Sequence, residues 1–225
     1  MGKWSSGNSG RLRIKTVSKV NLPSQYYFDF NKVEKNAVLK NYYVRQINYE
    51  DTKNLILNKH YAKRMPSISY AYGLFDDGNL VGLVTYGSPA SPFLCKGVCG
   101  VENKKQVIEL NRLVLTRNKK NEASFLIGKS LQMIPKPKII VSYADTAHDH
   151  VGYVYQATNF FFTGTTKART DQASANGKHS RHNLGDRSKR TFRSAKHRYV
   201  IFVGTKKEKA KYKKALNYPI LPYPK

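Results

Sequence analysis

Residues 107–145, VIELNRLVLTRNKKNEASFLIGKSLQMIPKPKIIVSYAD, decide the fold of this chain. Val107 to Leu115 alternates apolar and polar residues as a strand does, and Lys138 to Asp145 is a short apolar run typical of a buried parallel strand. The intervening NEASFLIGKSLQMI has helical spacing and begins near Asn121. The stretch therefore predicts a βαβ unit with a right-handed crossover.

The first strand of this unit carries an arginine among apolar neighbours. Arg112 must therefore either pair with an acid, Glu109 or Glu102, or serve the function of the protein. Strict alternation assigns the side chains of this strand to two faces. The predicted sets are Glu109, Asn111 and Leu113 on one face, and Leu110, Arg112 and Val114 on the other.

Further elements flank the βαβ unit on both sides. SYAYGLF and LVGLVTYG are joined by DDGN, a strong hairpin signal because Asp, Gly and Asn tolerate positive φ. The complete pattern predicts an α/β (α+β) protein with a mixed, mostly antiparallel sheet flanked by helices. The other predicted elements are a strand over 42–47, a helix over 48–61, a short helix within 152–160, a last strand over 198–204 and a basic helix after it.

The charge of the chain implies an anionic partner. Forty Lys and Arg against fourteen Asp and Glu give a formal charge of +26 in 225 residues, and nucleic acid is the leading candidate. No apolar run approaches the roughly 20 residues of a spanning helix, so we expect no membrane association. Because the chain begins without an apolar secretory signal and has only Cys95 and Cys99, we expect it in a reducing cytoplasm.

The positive charge is concentrated towards the C-terminus. From Lys167 to Lys214, sixteen Lys or Arg residues stand against three acids, and a Ser-, Asn- and Gly-rich part of this stretch favours a loop that orders on a polyanion. The predicted divisions are a basic N-terminal extension (1–40), a core (41–166), a basic DNA-binding loop (167–197), and a last strand with a basic helix and tail (198–225).

The βαβ unit also predicts where a ligand binds. Ligands favour the carboxyl ends of such strands, where Asp145 lies, and the helix N-terminus at 122–124 offers backbone amides to a phosphate-bearing cofactor. No GxxxxGK or GxGxxG motif accompanies the unit, so the type of nucleotide stays open.

Four ordered blocks between His60 and Thr166 resemble the Mom family of bacteriophage DNA-modification proteins. They begin at NKHYAKRMP, YGLFDDGNLVGLVTYG, CGVENKKQVIELNRLVL and VSYADTAHDHVGYVYQATNF. The resemblance implies a GNAT-like N-acyltransferase core and conversion of adenine in DNA to a carbamoylmethyl derivative on its exocyclic amine. It also implies protection of phage DNA from restriction, in the cytoplasm of the bacterial host.

The resemblance implies particular site residues. The catalytic candidates that it carries over are His60, Tyr61, Arg112, Asp145 and Tyr155. Acetyl-CoA or a related acyl donor is expected at the helix start, although the RxxGxG pattern usual for this fold is missing. The candidates for binding that donor are Arg117, Lys119, Lys120 and Ser124.

The implied reaction makes unusual chemical demands. A paired adenine must be flipped out of double-stranded DNA, and a carbamoylmethyl group is bonded through a methyl-derived carbon that acid-base chemistry on acetyl-CoA does not activate. Two solutions stay open: an iron ion with His60 and Asp145 as ligands, or a different donor such as an activated glycine-like unit. Structurally, Asp145 could instead cap the next helix, and Tyr155 could belong to the core.

Cations of the basic loop are the predicted DNA contacts, and Phe192 and histidines are interleaved with them. Most of these cations should touch phosphate. The predicted set is Arg181, Arg187, Lys189, Arg190, Arg193, Lys196 and Arg198.

Other functions also fit parts of the sequence. An ordinary N-acetyltransferase with a nucleic-acid tether, or a DNA-binding protein without catalysis, would carry the same charge. A histidine-metal nuclease could use His148 with His150, or His179 with His182, and Cys95 and Cys99 could complete a zinc site with the first pair. These alternatives are weaker than the DNA-modifying enzyme.

Overall fold

The computed structural model describes residues 41–172 and 190–225. The predicted extension 1–40 lies outside these residues. The strands are β1 Tyr42–Gln46, β2 Tyr70–Asp76, β3 Asn79–Gly87, β4 Val107–Leu115, β5 Lys138–Asp145, β6 Phe161–Thr165, β7 Arg169–Gln172, β8 Arg190–Arg193 and β9 Lys196–Val203. The α-helices are α1 Tyr49–Asn58, α2 Pro92–Cys99, α3 Glu122–Met133, α4 Tyr153–Ala157 and α5 Lys206–Lys214, and 3-10 turns span Val101–Gln106 and Thr146–His148.

Seven strands form one sheet in the order β1-β2-β3-β4-β5-β9-β6, and β7 and β8 form a separate two-stranded ribbon. Among the described residues, β4 and β5 are the one parallel pair, and every other neighbouring pair is antiparallel. The predicted fold class, a mixed and mostly antiparallel sheet flanked by helices, is confirmed.

The predicted hairpin of β2 and β3 is confirmed. Asp76 pairs with Asn79, and the two residues between them, Asp77 and Gly78, have φ of 48° and 79°. Positive φ at both central positions is the requirement of a type I′ turn, which matches the twist of the two strands.

Helix α1 ends earlier than its sequence pattern predicts. Asn48 and Asp51 form a capping box at its start, but the helix stops at Asn58 instead of Tyr61. Its buried apolar residues, Leu55 and Ile56, lie before that point, so no apolar contact holds a further turn. The residues that follow form a turn that includes Lys63 in the left-handed region.

Three elements were not predicted: α2, β6 and the β7–β8 ribbon. The ribbon strands are short and mostly polar, and β8 is basic, a composition that favours a loop. Strand β9 begins two residues before the predicted Arg198. In the described part of the chain, no helix combines the length and hydropathy that a membrane crossing needs.

The sheet is covered on both faces. Helix α3 buries Phe125, Leu126 and Leu131 in the largest apolar cluster, while α2 and α5 contribute Val98, Cys99 and Tyr212 to a second cluster. A fully buried leucine contributes about 1.5–3 kcal/mol, so these contacts fix the helices on the sheet.

A buried carboxylate fixes the start of α3. Glu122 is 0% exposed; Tyr42 Oη donates to its Oε1 at 2.7 Å and the Lys119 amide donates to its Oε2 at 2.8 Å. Arg117 reaches the same carboxylate at 3.4 Å and Asp76 at 2.7 Å. Burial and the bond to Glu122 raise the pKa of Tyr42 to about 12.

This network predicts a large stability loss on truncation. Glu122→Ala removes the acceptor that the Tyr42 hydroxyl and the Lys119 amide share, so we expect about 1–3 kcal/mol lower free energy of unfolding, measured by urea denaturation. Glu122→Gln keeps one acceptor oxygen and should lose less. The control is Glu50→Ala, which removes an exposed pair with Lys53 and should leave the free energy of unfolding almost unchanged, because exposed ion pairs contribute little. Equal effects of Glu122→Ala and Glu50→Ala would contradict the role of the network.

Candidate active site

The candidate site is a cleft created where two neighbouring strands part. Strands β4 and β5 pair in parallel only through Val107, Ile108 and Glu109, so their carboxyl halves are free to diverge. The cleft that opens there has a volume of 1490 Å³. A single small ligand typically fills about 300–1,000 Å³, so the cleft has room for a nucleobase together with a donor.

A β-bulge decides on which face of β4 each side chain lies. Thr85 pairs with Arg112 and Tyr86 pairs with Leu110, which leaves Asn111 as an extra residue on β4. Bulges re-aim the side chains that follow them. Leu110 and Leu113 therefore both face the cluster under α3.

The predicted faces of β4 are therefore wrong. Arg112 does not share the face of Leu110, because the bulge turns it to the side of Glu109, and Leu113 does not share the face of Glu109. Strict alternation assumes an unbroken ladder, and the extra residue breaks it. Glu109 and Arg112 both line the cleft.

The sequence predicted only a structural role for Glu109, as a possible ion-pair partner of Arg112, but Glu109 lines the cleft. Burial raises the pKa of Glu109 to about 7, and Arg112 and the backbone amide of Ala90 lower it less than burial raises it. No Lys, Arg or His of residues 41–172 and 190–225 lies within ion-pair distance of its carboxylate. A carboxylate with this pKa can accept a proton near neutral pH. An acid within an apolar strand was the signal that could have identified it.

Arg112 is held by backbone oxygens instead of by an acid. Its Nη1 donates to the carbonyl of Asn111 at 2.6 Å and its Nη2 donates to the carbonyl of Arg64 at 3.1 Å. Its Nε is buried and has no partner among the described residues. Burial and the neighbouring Arg64 lower the pKa of Arg112. Two guanidinium groups thus give one wall of the cleft a positive potential.

His60 lies in the turn after α1, and its ring is neutral near pH 7. The Ala62 amide donates to His60 Nδ1 at 3.0 Å, which places the ring proton on Nε2. Burial, with Arg112, Arg64 and His150, lowers the pKa of His60 to about 4. In the neutral ring, Nε2 can therefore donate a hydrogen bond.

Tyr61 forms an aromatic platform with histidines at the cleft. Its ring centroid lies 4.4 Å from that of His60, with an interplanar angle of 29°, and 4.6 Å from that of His148. Tyr61 is 54% exposed. Stacked, accessible rings of this kind can bind a planar base.

Asp145 has its carboxylate fully engaged. Lys196 Nζ and Ser194 Oγ donate to it, and so does the Ala147 amide at 3.1 Å. Burial alone would raise the pKa of Asp145, but these hydrogen bonds lower it overall. The side chain caps the 3-10 turn at Thr146–His148, in agreement with the structural alternative that Asp145 caps the helix after β5.

Asp145 and His60 do not fit an iron site. Both carboxylate oxygens of Asp145 and Nδ1 of His60 already accept hydrogen bonds. Within residues 41–172 and 190–225, no group of three or more His, Cys, Asp and Glu side chains could hold a metal ion. The same finding leaves the zinc site of Cys95, Cys99, His148 and His150 without support, and His179 and His182 lie outside the described residues.

Tyr155 lines the floor of the cleft but is buried. Its ring packs 5.3 Å from Phe160 and 5.2 Å from Tyr199. Burial raises the pKa of Tyr155 to about 12, although its hydrogen bond with Ser142 lowers it. The hydroxyl is therefore protonated at neutral pH, and the residue belongs both to the core and to the cleft.

The predicted donor-binding residues surround the start of α3. Ser124 Oγ donates to the Asn121 carbonyl at 3.1 Å, while Lys119 and Lys120 are exposed. Arg117 is committed to Asp76, Tyr42 and Glu122. No described residue accepts a hydrogen bond from the amide of Ala123 or of Ser124, and Ala123 lines the cleft. Free amides at a helix N-terminus suit a phosphate.

The predicted DNA contacts divide into three groups. Arg190 is exposed, and its Nη2 donates to Thr170 at 3.4 Å; Arg193 lies 3.9 Å from Asp171. Lys196 binds Asp145, and Arg198 donates to Thr163 and stacks 3.4 Å above the Tyr218 ring. Arg181, Arg187 and Lys189 lie outside the described residues. Arg190 and Arg193, which lie on the ribbon, are thus better placed to contact a partner than Lys196 and Arg198, whose side chains already have partners.

Solved structures similar to this chain are acetyltransferases. One is a GNAT-family acetyltransferase from Bacillus cereus, with 13% identity, 73% of this chain and 99% of that chain covered, and a TM-score of 0.42. Another is an N-acetyltransferase from Staphylococcus aureus, with 16% identity, coverage of 73% and 99%, and a TM-score of 0.44. Identities this low bear on neither substrate nor donor.

A curated relative and a family model match the sequence itself. The chain is 31% identical over 119 residues to the methylcarbamoylase mom of Escherichia phage Mu, and the match covers 50% of this chain and 49% of the relative. The chain thus matches about half the length of that relative. The model of the Mom protein family matches residues 41–225, which include β4, β5 and the whole described cleft. The chain therefore belongs to the Mom protein family.

Proposed function

We propose that this protein adds a carbamoylmethyl group to the exocyclic N6 amine of adenine in DNA, and that the modification protects phage DNA from host restriction. The observation that carries the proposal is the cleft between β4 and β5, where a proton-accepting Glu109 and a cationic Arg112 line one cavity in a chain of the Mom family. The name of the phage Mu relative supports the methylcarbamoyl product.

The base binds on the aromatic platform of His60, Tyr61 and His148. An adenine in a duplex is paired and stacked, so it must leave the helix before its amine can react. Stacking on an aromatic side chain is worth about 1–3 kcal/mol per base and offsets part of the cost of flipping. Neutral His60 offers its Nε2 proton to a ring nitrogen of the base or to an oxygen of the donor.

The reaction replaces one N6 hydrogen by carbon. The N6 lone pair forms the new N–C bond, the bond between that carbon and the leaving group breaks, and the leaving group departs with its electron pair. The N6 proton passes to the Glu109 carboxylate. This balance needs a donor with a leaving group on the carbon that becomes the methylene, as in an activated glycine-like unit.

The remaining polar groups act on the donor. Arg112 and Arg64 stabilise negative charge that develops on its carbonyl or leaving group. The free amides of Ala123 and Ser124, with Lys119 and Lys120 near them, bind its phosphates. Acetyl-CoA carries its leaving group on the carbonyl carbon, so the step above requires a related donor with a leaving group on the methylene carbon, and no step requires an iron ion.

Replacing Glu109 tests the proposed reaction. Glu109→Gln keeps the size of the side chain but removes the proton acceptor, so we expect at least about 100-fold less modified adenine. The measurement is nucleoside mass spectrometry of DNA from bacteria that express the wild type or the variant, in a host that supplies the donor. Affinity for a duplex, measured by fluorescence anisotropy, should be unchanged.

The outcomes of this experiment separate the candidate functions. An acetylated adenine would point to a simple acetyltransferase, and unmodified DNA from folded wild-type protein would contradict the proposal. Wild-type levels of product with Glu109→Gln would remove Glu109 from the mechanism but keep the function. Glu50→Ala is the matched control, because it removes an exposed carboxylate outside the cleft.

The raised pKa of Glu109 predicts a pH-dependent stability that needs no donor. The folded protein holds a proton that the unfolded chain releases above its ordinary pKa of 4.5, so this group makes the wild type less stable as pH rises from about 4.5 to about 7. Relative to Glu109→Gln, the wild type should lose at most about 1.4 kcal/mol per pH unit in that window. Urea denaturation across the window measures it, and parallel curves would contradict the raised pKa.

The lowered pKa of His60 predicts a neutral ring throughout the working range. In a nitrogen-detected NMR titration, the protonation of the His60 ring should have its midpoint near pH 4, because burial and Arg112 oppose the charge. His60→Asn removes one ring of the aromatic platform, so it should lower the amount of modified adenine. A His60 midpoint near 6.5 would show that the ring is not buried beside the two arginines.

A further inference from the structure

The β7–β8 ribbon carries an exposed phenylalanine to the edge of the cleft. Phe192 is 68% exposed and lines the cleft. It pairs with Thr170 on the neighbouring strand, so the ribbon offers its ring no apolar partner. A large apolar side chain left in water beside a binding cleft marks a contact with a partner.

The neighbours of Phe192 indicate the chemistry of that partner. Arg190 is exposed on the same strand, and Arg169 and Arg193 form a cross-strand pair on the opposite face. Asp171 lies 3.9 Å from Arg193 on that opposite face, whereas Arg190 shares the face of Phe192. An exposed aromatic ring beside an exposed guanidinium group fits the stacked bases and phosphates of DNA.

The base of the ribbon is firmly attached to the sheet. Ser194 and Lys196 bind Asp145, and Thr146 Oγ1 donates to the Ala195 carbonyl at 2.7 Å. The Thr166 amide donates to the Lys196 carbonyl at 2.9 Å. These contacts hold both strands where they leave the sheet, so force applied at Phe192 is transmitted to the core.

We propose that Phe192 is a wedge that enters the base stack of duplex DNA and occupies the gap left by the flipped adenine. The proposal rests on the proposed function. Apolar wedges on basic ribbons and arms unstack neighbouring bases at a cost of about a few kcal/mol per step. With the ring in the gap, the adenine on the aromatic platform is slower to return to the helix.

Phe192 is better placed for this role than the other exposed aromatic residues. Phe93 is 82% exposed but does not line the cleft. Tyr153 is exposed beside the cleft, but it starts a helix of five residues and has no cation among its immediate neighbours in the sequence. Among residues 41–172 and 190–225, only Phe192 combines high exposure, an arginine neighbour on each side within two residues, and a strand that is held by contacts to Asp145.

A flipping assay tests the wedge without the donor. The probe is a duplex with 2-aminopurine in place of adenine, because the fluorescence of 2-aminopurine rises when the base unstacks. A set of such duplexes covers every combination of neighbouring bases. Wild-type protein should raise the fluorescence. Phe192→Ala should reduce the flipped fraction about tenfold, while Phe192→Leu retains part of it and Phe93→Ala retains all of it. Because phosphate contacts remain, duplex affinity measured by anisotropy should fall less than the flipped fraction.

A mismatch opposite the probe separates a wedge from a structural defect. The mismatch lowers the cost of unpairing, so the deficit of Phe192→Ala should shrink there. A deficit of equal size in matched and mismatched duplexes, a wild-type flipped fraction with Phe192→Ala, or a loss confined to Tyr153→Ala would overturn the proposal.

Nucleoside mass spectrometry of DNA from cells that express each protein then distinguishes failure of the wedge from failure of the proposed function. If the wild type modifies adenine and Phe192→Ala does so equally well, the wedge is wrong and the proposed function stands. If the wild type flips 2-aminopurine but leaves adenine unmodified, the proposed function is wrong and the wedge stands.

Discussion

The length of one parallel ladder determines the chemistry of this protein. Strands β4 and β5 are hydrogen bonded over only three residue pairs, from Val107 to Glu109. A fully paired ladder would continue the sheet and leave no space between the strands. Because pairing stops at Glu109, polar side chains beyond that point face a cavity instead of a neighbouring backbone.

The bulge at Asn111 completes the site. Without the extra residue, Arg112 would point towards the apolar cluster beneath α3, where a guanidinium is costly to bury. With it, Arg112 lies on the side of Glu109, and α3 keeps an apolar face against Leu110 and Leu113. One irregularity therefore keeps a guanidinium out of the apolar cluster and places it on the side of Glu109.

Asp145 connects the cleft to the β7–β8 ribbon. Its carboxylate binds Lys196 and Ser194, so its effect is on the position of the β7–β8 ribbon. An Asp145 variant would then lose DNA modification through a displaced ribbon, without any direct role in the reaction. The residue is better described as a positioning residue than as a ligand or a base.

Local patterns of the sequence predicted much of the fold and part of the site. The Asp77–Gly78 turn and the alternation on either side of it were sufficient for the β2–β3 hairpin, and the apolar run ending at Asp145 was sufficient for β5. The bulge was not predictable, because it depends on how β4 aligns with β3. The role of Asp145 depends on Lys196, 51 residues later in the chain.

Features of the site that depend on burial or on pairing between distant segments were also not predictable. Glu109 carries no local mark of a raised pKa, which arises only when β4 is covered. The ribbon reads as a loop because Arg and Thr residues outnumber apolar ones in it, and only pairing between distant segments makes it a strand. Helix α1, by contrast, was misjudged only at its end, and that error moved His60 and Tyr61 from a helix into a turn.

The most direct test of this account is to find which residues touch the target base. A duplex with a photoreactive adenine analogue would be crosslinked to the full protein and the attachment sites mapped by peptide mass spectrometry. The account predicts crosslinks in the turn at 60–64 and in residues 143–155, which line the cleft. Crosslinks confined to α5 and the C-terminal segment, with none in those two stretches, would contradict the claim that the base enters between β4 and β5.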